Sequence, residues 1–373
     1  MSPGKKISMS SDAVLINSLK VSTYIIPTDL PEADGTIEWN STTMVLVEIE
    51  GGNKKGIGYT YAHAATALVI EKTLKELVVG EDILQLSAIT KSMIRAIRNN
   101  GTCGIATMAI SAVDNALWDL KAKILNVPLA SLLGMVKNEM VLYGSGGFTT
   151  YTDKQLEKQF IAWADKGIKY MKMKIGTHPE KDVARVKAAK KAIGEDIQLY
   201  VDANGAYTVK QAIEMAKQFE EYNVTWFEEP VTSDNLNGLN FIREHVPAAM
   251  NIAAGEYGYN LPYFETMLQA NAVDILQGDA TRCCGISGFI KAGNLCEAYQ
   301  LPYSSHCAPA MHLHAALTLP NFYIAEYFHD HERIEEIFFD GNPKVKDGVL
   351  QPDVSKPGNG LTLKKADAEK YKV

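Results

Sequence analysis

From residue 141 onward the chain repeats one unit, a short apolar run followed by a longer amphipathic one. Eight strand candidates follow in this rhythm, at 141–143, 169–175, 197–201, 224–227, 251–254, 272–276, 300–303 and 322–325. Segments between them, such as 180–193 and 208–221, carry helical spacing. Parallel strands need a crossover between each pair, and helices covering buried strands produce this alternation. Eight repeats fit a closed β/α barrel better than an open nucleotide-binding sheet. The absence of G-x-G-x-x-G after an early strand points the same way.

The segment before the repeat is organised differently. AVLINSLKVSTYII and TTMVLVEIE read as strands because β-branched and aromatic residues recur between turn signals. DLPEADGTIEWN between them, with Pro31, Asp34 and Gly35, reads as a loop or irregular hairpin. Helical patterns follow in TALVIEKTLKELVVG, LSAITKSMIRAIRNN and IATMAISAVDNALWDLKAKILN, before Pro128 and Gly134 interrupt the chain. Strands followed by helices make an α+β unit. The expected division is 1–135 for that unit, 136–330 for the barrel and 331–373 for a Gly- and Pro-rich tail.

At 373 residues, 46% hydrophobic and 22% charged, the chain can build more than one core. A net charge of -7 and the lack of a zinc-finger spacing, Walker loop or arginine-rich run argue against a nucleic-acid partner. No run is long and pure enough to span a membrane, and MSPGKKISMSSDAVLINSL lacks the apolar stretch of a secretion signal, so cytoplasmic residence is expected. The five cysteines are irregularly spaced and do not form a disulfide framework. Adjacent Cys283 and Cys284 read as buried thiols.

In a β/α barrel, the residue at the C-terminal end of a strand reaches the mouth. Here the strand ends carry Lys172 and Lys174, then Asp202 and Asn204, Glu228 and Glu229, Glu256, Asp279, His306 and Glu326. One such charge reads as a helix cap; a series of them reads as a site. Asp202, Glu228 and Glu256 come one repeat apart, and converging carboxylates repel unless protons or a cation compensate them. A hard ion with oxygen ligands fits, and magnesium is favoured over zinc because only His306 offers a plausible nitrogen ligand. Lys172 and Lys174 share a strand face; mutual repulsion and a nearby metal can depress one pKa and create a base. Asp279 is expected to orient His306 as a second acid/base. His312 and His314 in MHLHAALTL read first as helix-capping or core residues.

The order K-x-K, D-x-N, E-E-P, G-E, D-A-T-R, S-S-H and E-Y resembles the enolase superfamily, mandelate racemase subgroup, through nearly the whole chain. The resemblance implies an α+β cap closing over a modified TIM barrel, a tail that packs back toward the cap, a homo-oligomer, and Mg2+ on the substrate carboxylate. By position it makes Asp202, Glu228 and Glu256 the metal ligands and Lys174 the base on one substrate face. Lys172 becomes its tuning neighbour, and His306 with Asp279 the acid/base on the other face. Asn204 and Glu326 become substrate-oxygen contacts, with a protonated Glu326 donating to the enediolate, while Glu229 stands behind the ligands. Ser145 in YGSGGF is a further pocket candidate. Cys284 departs from the family's usual glycine, and Arg282 pairs with a ligand carboxylate or touches substrate.

The expected chemistry is removal of the proton beside a carboxylate in a small-molecule acid, through an enediolate. The leading outcome is dehydration of a sugar acid to a 2-keto-3-deoxy acid. Racemisation or epimerisation of a 2-hydroxy acid, and cycloisomerisation of an acid lactone, are the alternatives; a non-catalytic metal-binding scaffold is the remote one. Tyr24, Asp29, Glu32 and Asp34, with Tyr59 and Tyr61, are candidates to line the cap and contact hydroxyls, each also readable as an ordinary loop residue.

Overall fold

The computed structural model describes residues 13–373, so most of the opening segment read above for a leader, MSPGKKISMSSD, lies outside the described residues. Three antiparallel strands begin the fold: β1 (Ile16–Ala33), β2 (Glu38–Gly51) and β3 (Lys54–Tyr61). Much of the expected loop is strand, since β1 runs to Ala33 and pairs Glu32 with Trp39. Its irregularity is a break in register between Pro27 and Glu32, where proline cannot donate to the ladder. The helix Ile105–Ile124 lies close on β3 because Gly56 and Gly58 present no side chain. A Cβ on either would come within 2.3 Å of the Ala116 backbone.

Eight parallel strands close a barrel in chain order: β4 (Met140–Gly146), β5 (Tyr170–Lys174), β6 (Gln198–Asp202), β7 (Val224–Glu228), β8 (Asn251–Ala254), β9 (Ile275–Gly278), β10 (Tyr303–Ser305) and β11 (Phe322–Phe328). β11 pairs with β4 to complete the ring, and each strand meets one of the eight expected segments. Helices cover the outside, two of them started by reciprocal capping boxes at Thr152 with Gln155 and Thr208 with Gln211. The barrel interior is packed with Tyr143, Tyr200, Trp226, Ala253, Ile275 and Ile324, so its floor is solid.

The helix after β11, His329–Phe338, turns to the three-stranded sheet. Glu335 accepts a hydrogen bond from Tyr59 Oη at 2.6 Å, and Phe338 meets Tyr24 edge-on at 5.1 Å. At the end of the tail, Val373 N donates to Thr23 O at 3.1 Å. One piece of the tail stays with the barrel: Val349–Leu350 pairs antiparallel with β4. Among the described residues no helix is long and apolar enough to cross a membrane.

Candidate active site

The two-residue period of a strand puts Tyr200 with Asp202, Trp226 with Glu228, and Lys172 with Lys174 on one face. The first member of each carboxylate pair packs the barrel interior, and the second rises toward the mouth. Trp226 Nε1 donates to Glu228 Oε2 at 2.9 Å, so the packed ring also aims the carboxylate. Glu256 follows β8 after Gly255, whose φ of +133° and 2.2 Å Cβ clearance to Gln277 O suit only glycine. Ligand oxygens of Asp202, Glu228 and Glu256, all buried, lie within 4.8 Å of one another.

Lys172 is fully buried among carboxylates: it donates to Glu228 Oε1 and stands 2.8 Å from Glu326 and 3.4 Å from Asp202. Lys174 Nζ donates to Asp202 Oδ2 at 2.5 Å. Burial pulls both ammonium groups down, but the surrounding carboxylates outweigh it and raise both above the ordinary lysine value. Lys172 does repel Lys174, yet Asp202 acts on it more strongly. Glu228 and Glu229 are pushed up by burial and by neighbouring carboxylates. Such a set is short of positive charge.

On the other side of the mouth, His306 Nδ1 is 2.8 Å from Asp279 Oδ2. Asp279 Oδ1 accepts from Thr281 N at 2.6 Å. Burial disfavours its charge, but the His306 contact and the nearby His312 and Arg282 hold its carboxyl below the usual range. His306 Nε2 stands 3.4 Å from Glu256 Oε2 and 3.1 Å from Cys307 Sγ. Arg282 reaches Glu256 Oε1 at 3.4 Å and Asp279 at 3.6 Å, and it also lines the cavity at the barrel mouth.

Glu326 lies on β11 with both of its oxygens engaged. Oε1 accepts from Ser145 Oγ at 2.6 Å and Oε2 from the Cys307 amide at 2.7 Å. Burial opposes ionisation, but Lys172, His306 and Lys174 outweigh it and hold the carboxyl well below its ordinary value. Ser145 is fully buried and serves Glu326 from behind, outside the cavity lining.

A cavity of about 420 Å³ opens over these groups, between the barrel mouth and the three-stranded sheet. Lys174, Asn204, Glu256, His306 and Glu326 line its barrel side, and Asp34 and Tyr61 its cap side. Four of the cap candidates stand elsewhere: Glu32 is held by Trp39, and the other three are taken up by the helix His329–Phe338. Tyr24 is buried against Phe338, Tyr59 is buried on Glu335, and Asp29 pairs with His329. In each case an aromatic or charged group from the returning helix occupies the side chain. Trp39, Tyr257, Cys307 and His331 also line the cavity and were not singled out from the sequence for it. His331 carried no signal, since it arrives from beyond the last strand and reaches the site by stacking on Tyr61 at 3.5 Å. Cys283 and Cys284 are buried thiols, and His312 sits in the core with Nε2 accepting from Ala280 N at 2.7 Å.

Comparison with known proteins agrees with this architecture. Residues 20–134 match the mandelate racemase / muconate lactonizing enzyme N-terminal domain, and residues 155–368 the enolase C-terminal domain-like family. Arabinonate dehydratase of Saccharolobus solfataricus is 32% identical, covering 88% of this chain and 90% of that protein. L-talarate/galactarate dehydratase of Salmonella typhimurium is 31% identical over 82% of this chain and 79% of its own length. A 3,6-anhydro-alpha-L-galactonate cycloisomerase of Streptomyces coelicolor is 30% identical over 94% and 97%.

Among solved structures, a mandelate racemase/muconate lactonizing enzyme-like protein from Rubrobacter xylanophilus has 47% identity and a TM-score of 0.94, covering 96% of this chain and 100% of that one. A Streptomyces coelicolor racemase with bound magnesium has 30% identity and a TM-score of 0.91, covering 96% and 100%. L-talarate dehydratase from Polaromonas, complexed with magnesium and L-glucarate, has 28% identity and a TM-score of 0.87, covering 97% and 98%. With both of its domains matched by family models and relatives aligned along most of its length, the chain belongs to the enolase superfamily, in the mandelate racemase subgroup.

Proposed function

We propose that this chain removes the proton on the carbon beside a carboxylate, with magnesium as cofactor, and that its reaction is dehydration of a sugar acid to a 2-keto-3-deoxy acid. The observation that carries the reading is that Lys174 and His306 open into one cavity from different strand ends, with Glu256 in the same lining. Asp202, Glu228 and Glu256 would hold the ion. They fit it: their oxygens converge, burial and the neighbouring Asp202 and Glu326 carboxylates disfavour the charge on Glu228, and Glu256 Oε2 accepts no hydrogen bond among the described residues. When bound, magnesium supplies positive charge against the second negative charge that develops as the proton leaves.

The remaining work falls to the side chains. Lys174 exchanges a proton at Nζ on one substrate face, and His306, oriented by Asp279, does so at Nε2 on the other. A cation beside Asp202 weakens the field that keeps Lys174 protonated, the direction a base requires. Lys172 adds positive charge behind the carboxylate, and Asn204, whose Oδ1 is buried without a partner among the described residues, lines the same cavity. After the α-proton has gone to the base, the β-carbon–oxygen bond breaks. His306 gives its proton to the departing hydroxyl, water leaves, and the enol becomes the keto acid.

Sugar-acid dehydratases among the relatives support this outcome. Cycloisomerisation is the second reading, supported by the cycloisomerase that aligns over 94% of this chain. A panel of sugar acids and lactones, incubated with magnesium in deuterated water, separates them. Dehydration yields a new keto acid; ring opening or closure gives a product of unchanged composition. A panel in which no acid reacts and no α-proton exchanges would overturn both.

A further inference from the structure

The end of β1 and the start of the helix His329–Phe338 meet beside the cavity but outside its lining. There the Asp29 carboxylate brackets His329 Nε2, with both oxygens 3.1 Å away. Glu32, fully buried, presents an oxygen within 4.8 Å of ligand atoms on both. Its Oε2 accepts from Trp39 Nε1 at 2.8 Å, while Oε1 has no hydrogen-bond partner among the described residues. Among the described residues, the guanidinium acting on Glu32 is that of Arg333, which is also held by Asp330 at 2.6 Å and by Pro27 O and only partly offsets the burial. Burial, then Asp330 and Asp29, push the Glu32 carboxyl up to about 9.

A buried carboxylate beside two others is stable only when a proton or a cation compensates it. We propose that Asp29, Glu32 and His329 form a second divalent-cation site, of zinc type, that straps the edge of the cap to the end of the last barrel strand. One imidazole and two carboxylates suit zinc, whereas the all-oxygen set at the barrel mouth suits magnesium. Ligand atoms roughly 2.1 Å from zinc stand about 3.0 to 3.4 Å apart. The 3.1 Å between Asp29 and His329 already has that spacing. Trp39 links the site to function: it hangs from Glu32, packs edge-on against Phe148 at 5.5 Å and lines the cavity. A cation here fixes that wall.

The test is calorimetric titration of zinc chloride into the full chain in excess magnesium, and in parallel into Asp202→Asn so that zinc at the barrel-mouth carboxylates is recognised. One zinc equivalent is expected in both proteins, with a rise in Tm. His329→Gln and Glu32→Gln should weaken that binding by about tenfold or more and lose the Tm rise. Circular dichroism without zinc checks that each variant is folded, and exposed Asp29→Asn decides the matter if the buried replacements are not. Wild type that takes up no zinc, or titrations that superimpose on those of folded His329→Gln or Asp29→Asn, would overturn the site.

Discussion

His306 and Asp279 form a 2.8 Å contact through Nδ1, which leaves Nε2 as the imidazole atom turned toward Glu256 and the cavity. The pair is buried, and Asp279 is tied on its other oxygen by the Thr281 amide. Orientation of the ring through Nδ1 therefore depends on that carboxylate. Asp279→Asn offers an amide N–H where Nδ1–H needs an acceptor, so the preferred tautomer is lost. The expected result is a fall of about 10²- to 10⁴-fold in kcat with little change in KM. Steady-state kinetics on an acid identified by the panel measure it, and an unchanged kcat would remove His306 from the mechanism.

Lys174 and His306 should act on different substrate configurations. Lys174→Met is expected to abolish solvent-deuterium exchange at the α-carbon for one configuration and to leave exchange driven by His306 for the other. Proton NMR of substrate recovered from deuterated water distinguishes the two. Equal loss for both configurations would mean that the two groups do not serve separate faces.

Lys172 compensates Glu228, Glu326 and Asp202 from a position with no solvent access. Its replacement by Met leaves buried negative charge without a partner, which costs about 3–5 kcal/mol. Urea denaturation in the absence of divalent ions should show that loss. A midpoint equal to wild type would contradict the compensating role.

Glu256→Gln removes one of three converging carboxylates, and magnesium affinity should drop by about tenfold or more. Chelation of the wild type should abolish turnover and lower Tm, because an ion at 100 times its Kd stabilises by about 2.7 kcal/mol. Calorimetry and thermal unfolding with and without chelator provide the check. A Tm insensitive to magnesium would argue against the site.

Glu335 is buried under the cap, and burial pushes its carboxyl up to about 8 against the hydrogen bonds from Tyr59 and Ala310. In the unfolded chain the same group titrates near roughly 4.3. The native state thus keeps a proton that the unfolded state releases, so this group's contribution to stability declines as pH rises from about 4.3 to about 8. Glu335→Gln should flatten the stability profile in that window relative to wild type, by an amount on the order of a few kcal/mol. Parallel slopes in denaturation at several pH values would show that Glu335 does not titrate this way.

The barrel and its mouth were legible in the sequence because their signals are local. A strand's burial pattern and the charge that ends it lie within a few residues, as in LYVDANG and TWFEEP, and the spacing between them reports the crossover helix. Eight expected strands accordingly meet the eight observed. Asp202, Glu228 and Glu256, with Lys174 and His306, could be brought together on paper because a closed ring converges whatever stands at the ends of its strands.

Tertiary structure alone decided which groups face one another across distant chain segments. Asp29 and Glu32 read as cap residues for a substrate, yet His329, 300 residues from Asp29, claims the first, and Trp39 holds the second. Tyr24 and Tyr59 are covered by a helix from the far end of the chain, and His331 reaches the cavity from that same helix. The charge on Glu326 is set by Lys172 and Lys174 on β5 and by His306 after β10, while Ser145 on β4 and the Cys307 amide hold its oxygens. The sequence by itself determined the repeat and the residue types at the barrel mouth, since periodicity and strand ends are properties of neighbours. Protonation, orientation and membership of the cavity depend on long-range contacts and buried fields, which exist only once the cap, the barrel and the returning tail have closed on each other.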